Sequence, residues 1–179
     1  MNTVRKLAIG VGALSALAST AHAQQTDPAT ASASASGAVA VIQPIALSKT
    51  ADLNFGTIVK PLAGTATVAI AAGGGATVTG TTQVNTAANP ARAASFTIQG
   101  EGGSAYSISV PGSFTMANGS GAGSLTVTTV SNSTGGTLAG SIGGSTASAT
   151  FGVGGTINID TGTASGAYAG TFTVTASYN

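Results

Sequence analysis

Alternation near the C-terminal end constrains this chain more than any other feature. Residues 166–179 read Gly-Ala-Tyr-Ala-Gly-Thr-Phe-Thr-Val-Thr-Ala-Ser-Tyr-Asn. Tyr168, Phe172, Val174, Ala176 and Tyr178 fall on alternate positions, with Gly170 in the one gap. Thr171, Thr173, Thr175 and Ser177 take the other parity. Successive side chains of a strand point to opposite faces, so the pattern predicts one long β-strand with an apolar face and a hydroxyl face. At about 3.3 Å per residue it would run roughly 35–40 Å. No later strand is expected to cover its edge, and an unpaired edge is a template for pairing.

Upstream, the chain reads as short strands between turns. The candidates are 38–47 (interrupted at Pro44), 53–58, 65–71, 76–82, 94–99, 105–110, 124–130, 146–151 and 155–160. Proline inside the first implies an edge or a change of sheet. The separators are turn formers: Gly73-Gly74-Gly75, Glu101-Gly102-Gly103, Asn118-Gly119, Gly135-Gly136 and Gly143-Gly144. Short strands at regular spacing with glycine turns predict an all-β sandwich or barrel. No unit repeats at a fixed length, which argues against a solenoid. The expected core is Phe55, Phe96, Tyr106, Phe151, Tyr168 and Phe172 with Ile58, Val68, Ile98, Ile108, Val127, Ile157 and Val174.

The N-terminal end has a different pattern. Arg5 and Lys6 precede an apolar run from Leu7 to Leu17, and Ala21-His22-Ala23 follows. A basic start, a short apolar core and a small-x-small site predict a cleaved export signal over residues 1–23. The run is too short for a membrane anchor, and no second one follows, so no membrane insertion is expected. Residues 24–38 form an Ala/Ser-rich tail, and the β domain is expected over 39–179. Composition alone reads the tail as a linker. Yet Ala31, Ala33, Ala35, Gly37, Val39 and Val41 share one parity, as in a strand that adds to a sheet elsewhere.

Charge excludes several functions. Beyond residue 23 the charged residues are Lys49, Lys60 and Arg92 against Asp27, Asp52, Glu101 and Asp160. No basic patch is available for nucleic acid. There is no Cys, and the only histidine is His22, within the expected signal, so the usual zinc and thiol chemistries lack ligands. No metal or cofactor is expected. No enzyme is expected either, because Asp52, Glu101 and Asp160 are dispersed and no nucleophile–base motif accompanies them. Thr126/Thr128 and Thr171/Thr173/Thr175 suggest an ice-binding face, but the regular Thr spacing that such a face needs across many strands is missing.

Four pieces follow one another in order: Leu53-Asn54-Phe55-Gly56, Phe96-Thr97-Ile98-Gln99-Gly100, Phe151-Gly152-Val153-Gly154-Gly155-Thr156, and Gly166-Ala167-Tyr168-Ala169-Gly170-Thr171-Phe172-Thr173-Val174-Thr175. Together they resemble the secreted bacterial family called domain of unknown function 4402, over residues 38–179. That resemblance implies an immunoglobulin-like fold akin to fimbrial subunits, with no enzymatic role.

A narrower resemblance is to subunits built by the chaperone–usher route. These end in an alternating apolar strand with Gly fourteen residues from the end and Tyr penultimate. Gly166 and Tyr178 stand in those places. The resemblance implies an immunoglobulin-like β-sandwich that lacks its final strand and is completed by a donor strand. A periplasmic chaperone lends the strand, and at the outer-membrane usher the tail of the next subunit replaces it. The implied groove is Gly166, Tyr168, Phe172, Val174, Ala176 and Tyr178; the implied donor is Ala31, Ala33, Ala35, Gly37 and Val39. The chain departs from that pattern in having no Cys pair, and in offering Ala where a donor usually carries larger apolar residues.

Two functions follow as expectations. One is a structural subunit of a surface fibre, a homopolymer exported through the periplasm to the cell surface. The other is a self-complete secreted β-sandwich acting as a binding or surface-layer module, whose tail folds back or serves as a linker.

Overall fold

Alternating β-branched and small residues, cut by glycine turns, form thirteen strands among the described residues. The computed structural model describes residues 32–80, 82–85 and 89–179. The strands are β1 (Ala46–Ala51), β2 (Thr57–Val59), β3 (Thr65–Ile70), β4 (Ala76–Thr79), β5 (Gln83–Asn85), β6 (Ala94–Glu101), β7 (Ala105–Ser109), β8 (Ser113–Asn118), β9 (Ser124–Ser131), β10 (Gly135–Thr137), β11 (Thr146–Asp160), β12 (Tyr168–Ala169) and β13 (Thr175–Tyr178). None of the described residues is helical. Val39–Asn179 forms one compact unit. In the preceding unit, residues 32–38 carry neither helix nor strand. The expected export signal, residues 24–31 of the expected tail, and Ala31 with them lie outside the described residues.

The larger sheet runs β1-β6-β11-β9-β8-β12, with β3 and β4 added beside the second half of β11. A smaller sheet, β10-β7-β13, supplies the opposing layer. Four of the strand pairings, β1–β6, β6–β11, β11–β9 and β7–β13, follow those of an immunoglobulin-type sandwich, and β3, β4, β8, β10 and β12 are additional. There β1, β6, β11 and β9 take the places of strands A, B, E and D, while β7 and β13 take those of C and F. The fold is thus the expected all-β sandwich.

Two apolar clusters fill it. In the first, Phe96, Ile98, Phe151 and Val153 of the larger sheet meet Tyr106 and Ile108 of β7 and Leu138 just past β10. The rings of Phe96 and Phe151 stack at 5.3 Å. The second gathers Val68 and Ile70, Val127, Ile157 and Ile159 under Phe55. Phe172 reaches from one to the other: its ring lies 6.4 Å from Phe96 and 4.9 Å from Phe114.

β11 serves both clusters. Its first half pairs with β6, from Thr146↔Glu101 to Val153↔Ala94. Its second half pairs with β3, from Gly155↔Ile70 to Asp160↔Thr65. Two strands, 146–151 and 155–160, are expected here; one fifteen-residue strand is found. Gly152 and Gly154 do not break it. A Cβ on either would collide with a main-chain oxygen, that of Ala72 or Ile70, so the glycines admit a crossing backbone.

The C-terminal alternation also resolves differently from the expected single strand. β12 pairs with β8 in the larger sheet, and β13 pairs with β7 in the smaller one. Residues 170–174 lie between them outside any ladder. The in–out pattern nevertheless persists, with Phe172, Val174, Ala176 and Tyr178 half-buried and the intervening hydroxyl residues exposed. Alternation records which way side chains face, and it holds while the chain passes from one sheet to the other. At the N-terminal side, the expected strand over 38–47 begins only at Ala46, after Pro44. β5, β8 and β10 were not anticipated, and Gly135-Gly136, read as a turn, lies within β10.

Candidate functional site

Tyr178 organises one end of the sandwich. Its hydroxyl accepts the main-chain N–H of Glu101 at 2.7 Å and donates to the carbonyl of Gln43 at 2.9 Å. The Glu101 carboxylate accepts the N–H of Gly143 at 2.6 Å and that of Gln43 at 3.1 Å. Both main-chain groups of Gln43 are thereby held, and its side-chain oxygen accepts the Thr146 hydroxyl at 3.3 Å. Glu101 is only 4% exposed. A buried carboxylate is tolerable where fixed N–H groups replace its water, and here two do. This carboxylate joins the segment leading into β1 to the loop between β10 and β11.

From Tyr178 the chain runs back along β13. Ala176, Val174 and Phe172 turn towards the first cluster, yet each is only half-buried. Ile45 and Leu47, at the start of β1, are packed against the same cluster and half-buried as well. β1 is bonded only to β6, and β13 only to β7, among the described residues. Each therefore presents one unpaired edge, and the two strands approach one another. In an immunoglobulin-type sandwich the place beyond strand F belongs to strand G. Beyond β13 none of the described strands takes that place.

The residues expected to form one groove fall into two groups. Phe172, Val174, Ala176 and Tyr178 share the face just described. Gly166 and Tyr168 lie elsewhere, on a cleft over the second cluster. Gly166 has φ +145°, a conformation that favours glycine, and a Cβ there would stand 2.8 Å from the Asn118 amide. The Tyr168 hydroxyl donates to the carbonyl of Ala164 at 2.8 Å. Of the expected donor, Ala33, Ala35 and Gly37 are exposed and without strand structure. Val39 is 88% exposed and Val41 85%.

Sequence reasoning missed Gln43 and misjudged Glu101. Nothing local marks Gln43, whose partners stand 58 and 135 residues away. Glu101 was read as part of a Glu-Gly-Gly turn. A lone carboxylate directly after an apolar strand, in a chain with so few charges, was the available signal. Of the other carboxylates, Asp52 forms an exposed ion pair with Lys49 at 2.5 Å. Asp160 is fully exposed and closes a turn with Gly162 and Thr163. Among the described residues no group of acidic or histidine side chains is arranged to hold a metal. No described helix is long and apolar enough to cross a membrane.

Comparison with known proteins gives one positive result. The family model described as domain of unknown function (DUF4402) matches residues 45–178. No curated protein and no solved structure matches the chain.

Proposed function

This chain belongs to the DUF4402 family, and we propose that it acts as a structural subunit of a bacterial surface fibre. The N-terminal tail of one copy completes the sheet of the next. Export delivers the subunit to the periplasm, where a chaperone shields the open edge until an outer-membrane usher admits the incoming tail. The partners are other copies of the chain, giving a homopolymer at the cell surface.

One observation carries this reading: β13 lies at the position of strand F with its outer edge unpaired among the described residues, above a row of half-buried apolar side chains. An added strand bonds the open edge and covers those side chains in one step. The spacing of Gly166 and Tyr178 is what such subunits carry. The alternating parity of Ala31, Ala33, Ala35, Gly37 and Val39 supplies a segment of the required form. A groove on one copy and a tail on the next make a head-to-tail contact that does not close, so it propagates as a filament.

A second reading is a self-complete secreted module. It is favoured by the bond from Tyr178 to Gln43, which already ties β13 to the segment before β1.

The test compares residues 24–179, expressed without partners, with a version lacking 24–38. The fibre reading expects polymers or an unstable monomer from the longer chain and no polymers from the shorter, measured by light scattering after size exclusion. Stable, monodisperse monomers from both would leave the self-complete module standing.

A further inference from the structure

The cleft that received Gly166 and Tyr168 lies over the second apolar cluster, and the fibre reading makes no use of it. Its volume is about 600 Å³. The floor is aliphatic. Met116 and Leu125, cross-strand neighbours on β8 and β9, lie beside Ile157 and Ile159 of β11. The side chains of Ile157 and Ile159 are buried, while Met116 and Leu125 are half-buried.

Both walls are fixed. On one side Asn54 accepts the N–H of Gly56 at 2.8 Å, pairs with the Asn89 amide at 2.5 Å and bonds through its main chain to Arg92. On the other, the carbonyls of Ala164, Ser165 and Ala167 are taken by the Tyr168 hydroxyl, the Asn118 amide and the Gly119 N–H. The cleft needs no rearrangement to form, which lowers the cost of filling it. Lys60 is the only charged residue in its lining, and among the described residues it has no ion-pair partner.

We infer that this cleft binds a medium- or long-chain fatty acid, with the acyl chain along the aliphatic floor and the carboxylate at Lys60. A saturated chain matches a floor that has no donors or acceptors to offer. The lining also carries the side chains of Thr57, Asn89, Thr163 and Ser165, so a sugar is the competing ligand that the test must separate. An extended peptide would need open main-chain groups, and the three wall carbonyls are already bonded. The single cation selects a single anionic head.

Dodecanoate below its micelle concentration is the probe, titrated calorimetrically into the purified protein beside dodecanol. The wild type binds dodecanoate saturably, one molecule per chain. Lys60→Met weakens dodecanoate by about three- to fivefold and leaves dodecanol unchanged, as expected for one exposed charge pair. Met116→Trp narrows the cleft over its aliphatic floor and weakens binding of both, with far-UV circular dichroism and Tm showing that the fold is kept. If Met116→Trp unfolds, Leu125→Trp serves in its place. No saturable binding by the wild type, dodecanoate affinity unchanged in Lys60→Met or in the tryptophan variant, or saturable binding of maltotriose in place of dodecanoate would each overturn the assignment. None of these outcomes depends on whether the chain polymerises.

Discussion

The hydroxyl of Tyr178 sits where a side chain on Gly100 would begin. A Cβ on Gly100 would run into the phenol oxygen, which at the same point accepts the N–H of Glu101 at 2.7 Å. Two separate sequence features, the glycine that ends Phe96-Thr97-Ile98-Gln99-Gly100 and the penultimate tyrosine, are thus two halves of one contact. The glycine makes room, and the tyrosine uses the room to reach a main-chain donor on β6 and a carbonyl before β1.

Tyr178→Phe tests the hydrogen bonds. It keeps the ring but leaves the Glu101 N–H and the Gln43 carbonyl without this partner. Glu101 is buried, and stranding its N–H costs about 1–3 kcal/mol, whereas Gln43 is exposed and its carbonyl can turn to water. We expect urea unfolding to show a loss of about 2 kcal/mol for the isolated protein. An unchanged midpoint would mean that neither bond contributes.

Gly100→Ala tests the space. Overpacking at a fixed neighbour costs about 1–3 kcal/mol. Part of that penalty comes from the phenol oxygen, so it should shrink in the Tyr178→Phe background. A double-mutant cycle reads the coupling directly, and strict additivity would contradict the shared contact.

Gly152→Ala tests the crossing at the centre of β11. The added methyl meets the main-chain oxygen of Ala72, which cannot swing aside as a side chain can. The expected loss is about 3 kcal/mol, enough to lower soluble yield as well as Tm. Exposed Gly73 has nothing within 4 Å of an added Cβ, so Gly73→Ala should change stability little and is the matched control.

Leu138→Ala tests a core residue that pattern reading passed over. Leu138 follows a three-residue strand of two glycines and a threonine, yet it is 1% exposed and belongs to the first cluster. Truncating a fully buried leucine costs about 2–5 kcal/mol. The same change at Leu62, which is 98% exposed, should be near neutral. Equal midpoints for the two variants would disprove the burial.

Asp160 gives a pH-dependent prediction. The Thr163 hydroxyl, and with it the main-chain N–H groups of Gly162 and Thr163, holds its carboxyl below the ordinary 3.8. A carboxylate depressed in the folded state adds stability above its unfolded pKa and loses it as pH falls through the folded value. Thr163→Val should therefore raise the Asp160 pKa, read by carboxyl carbon NMR. The part of the stability difference that comes from the carboxylate should be present at neutral pH and lost in strong acid, leaving the part that comes from the Asp160 N–H bond to the Thr163 hydroxyl. A titration curve unmoved by Thr163→Val would contradict the hydroxyl's role.

Much of the architecture was legible because its signals are local. Alternation found the inward faces of β3, β6, β7, β9 and β13. Of the expected core, Phe55, Phe96, Tyr106, Phe151, Val68, Ile98, Ile108, Val127 and Ile157 are buried, whereas Ile58, Tyr168, Phe172 and Val174 are half-buried. Ile70, Val153, Ile159 and Leu138 joined the core unannounced. Glycine was the chief source of error. In Gly73-Gly74-Gly75 it marks a turn, and at Gly152 and Gly154 it marks a crossing inside a strand. The residue is the same in both, and only a neighbour distant in sequence tells the two apart.

The chain by itself determined that this is an all-β sandwich or barrel with few charges, and which side chains face inward along its final residues. Those properties depend on the period of a strand and on the chemistry of each residue, and both are local. Only the tertiary structure decided that residues 166–179 divide between two sheets, with Gly166 and Tyr168 on a cleft and Phe172 to Tyr178 beside an open edge. It also decided that Glu101 accepts hydrogen bonds from Gly143 and Gln43. Which strand pairs with which, and which carbonyl meets which donor, depends on contacts across tens of residues. A periodicity of two cannot encode them.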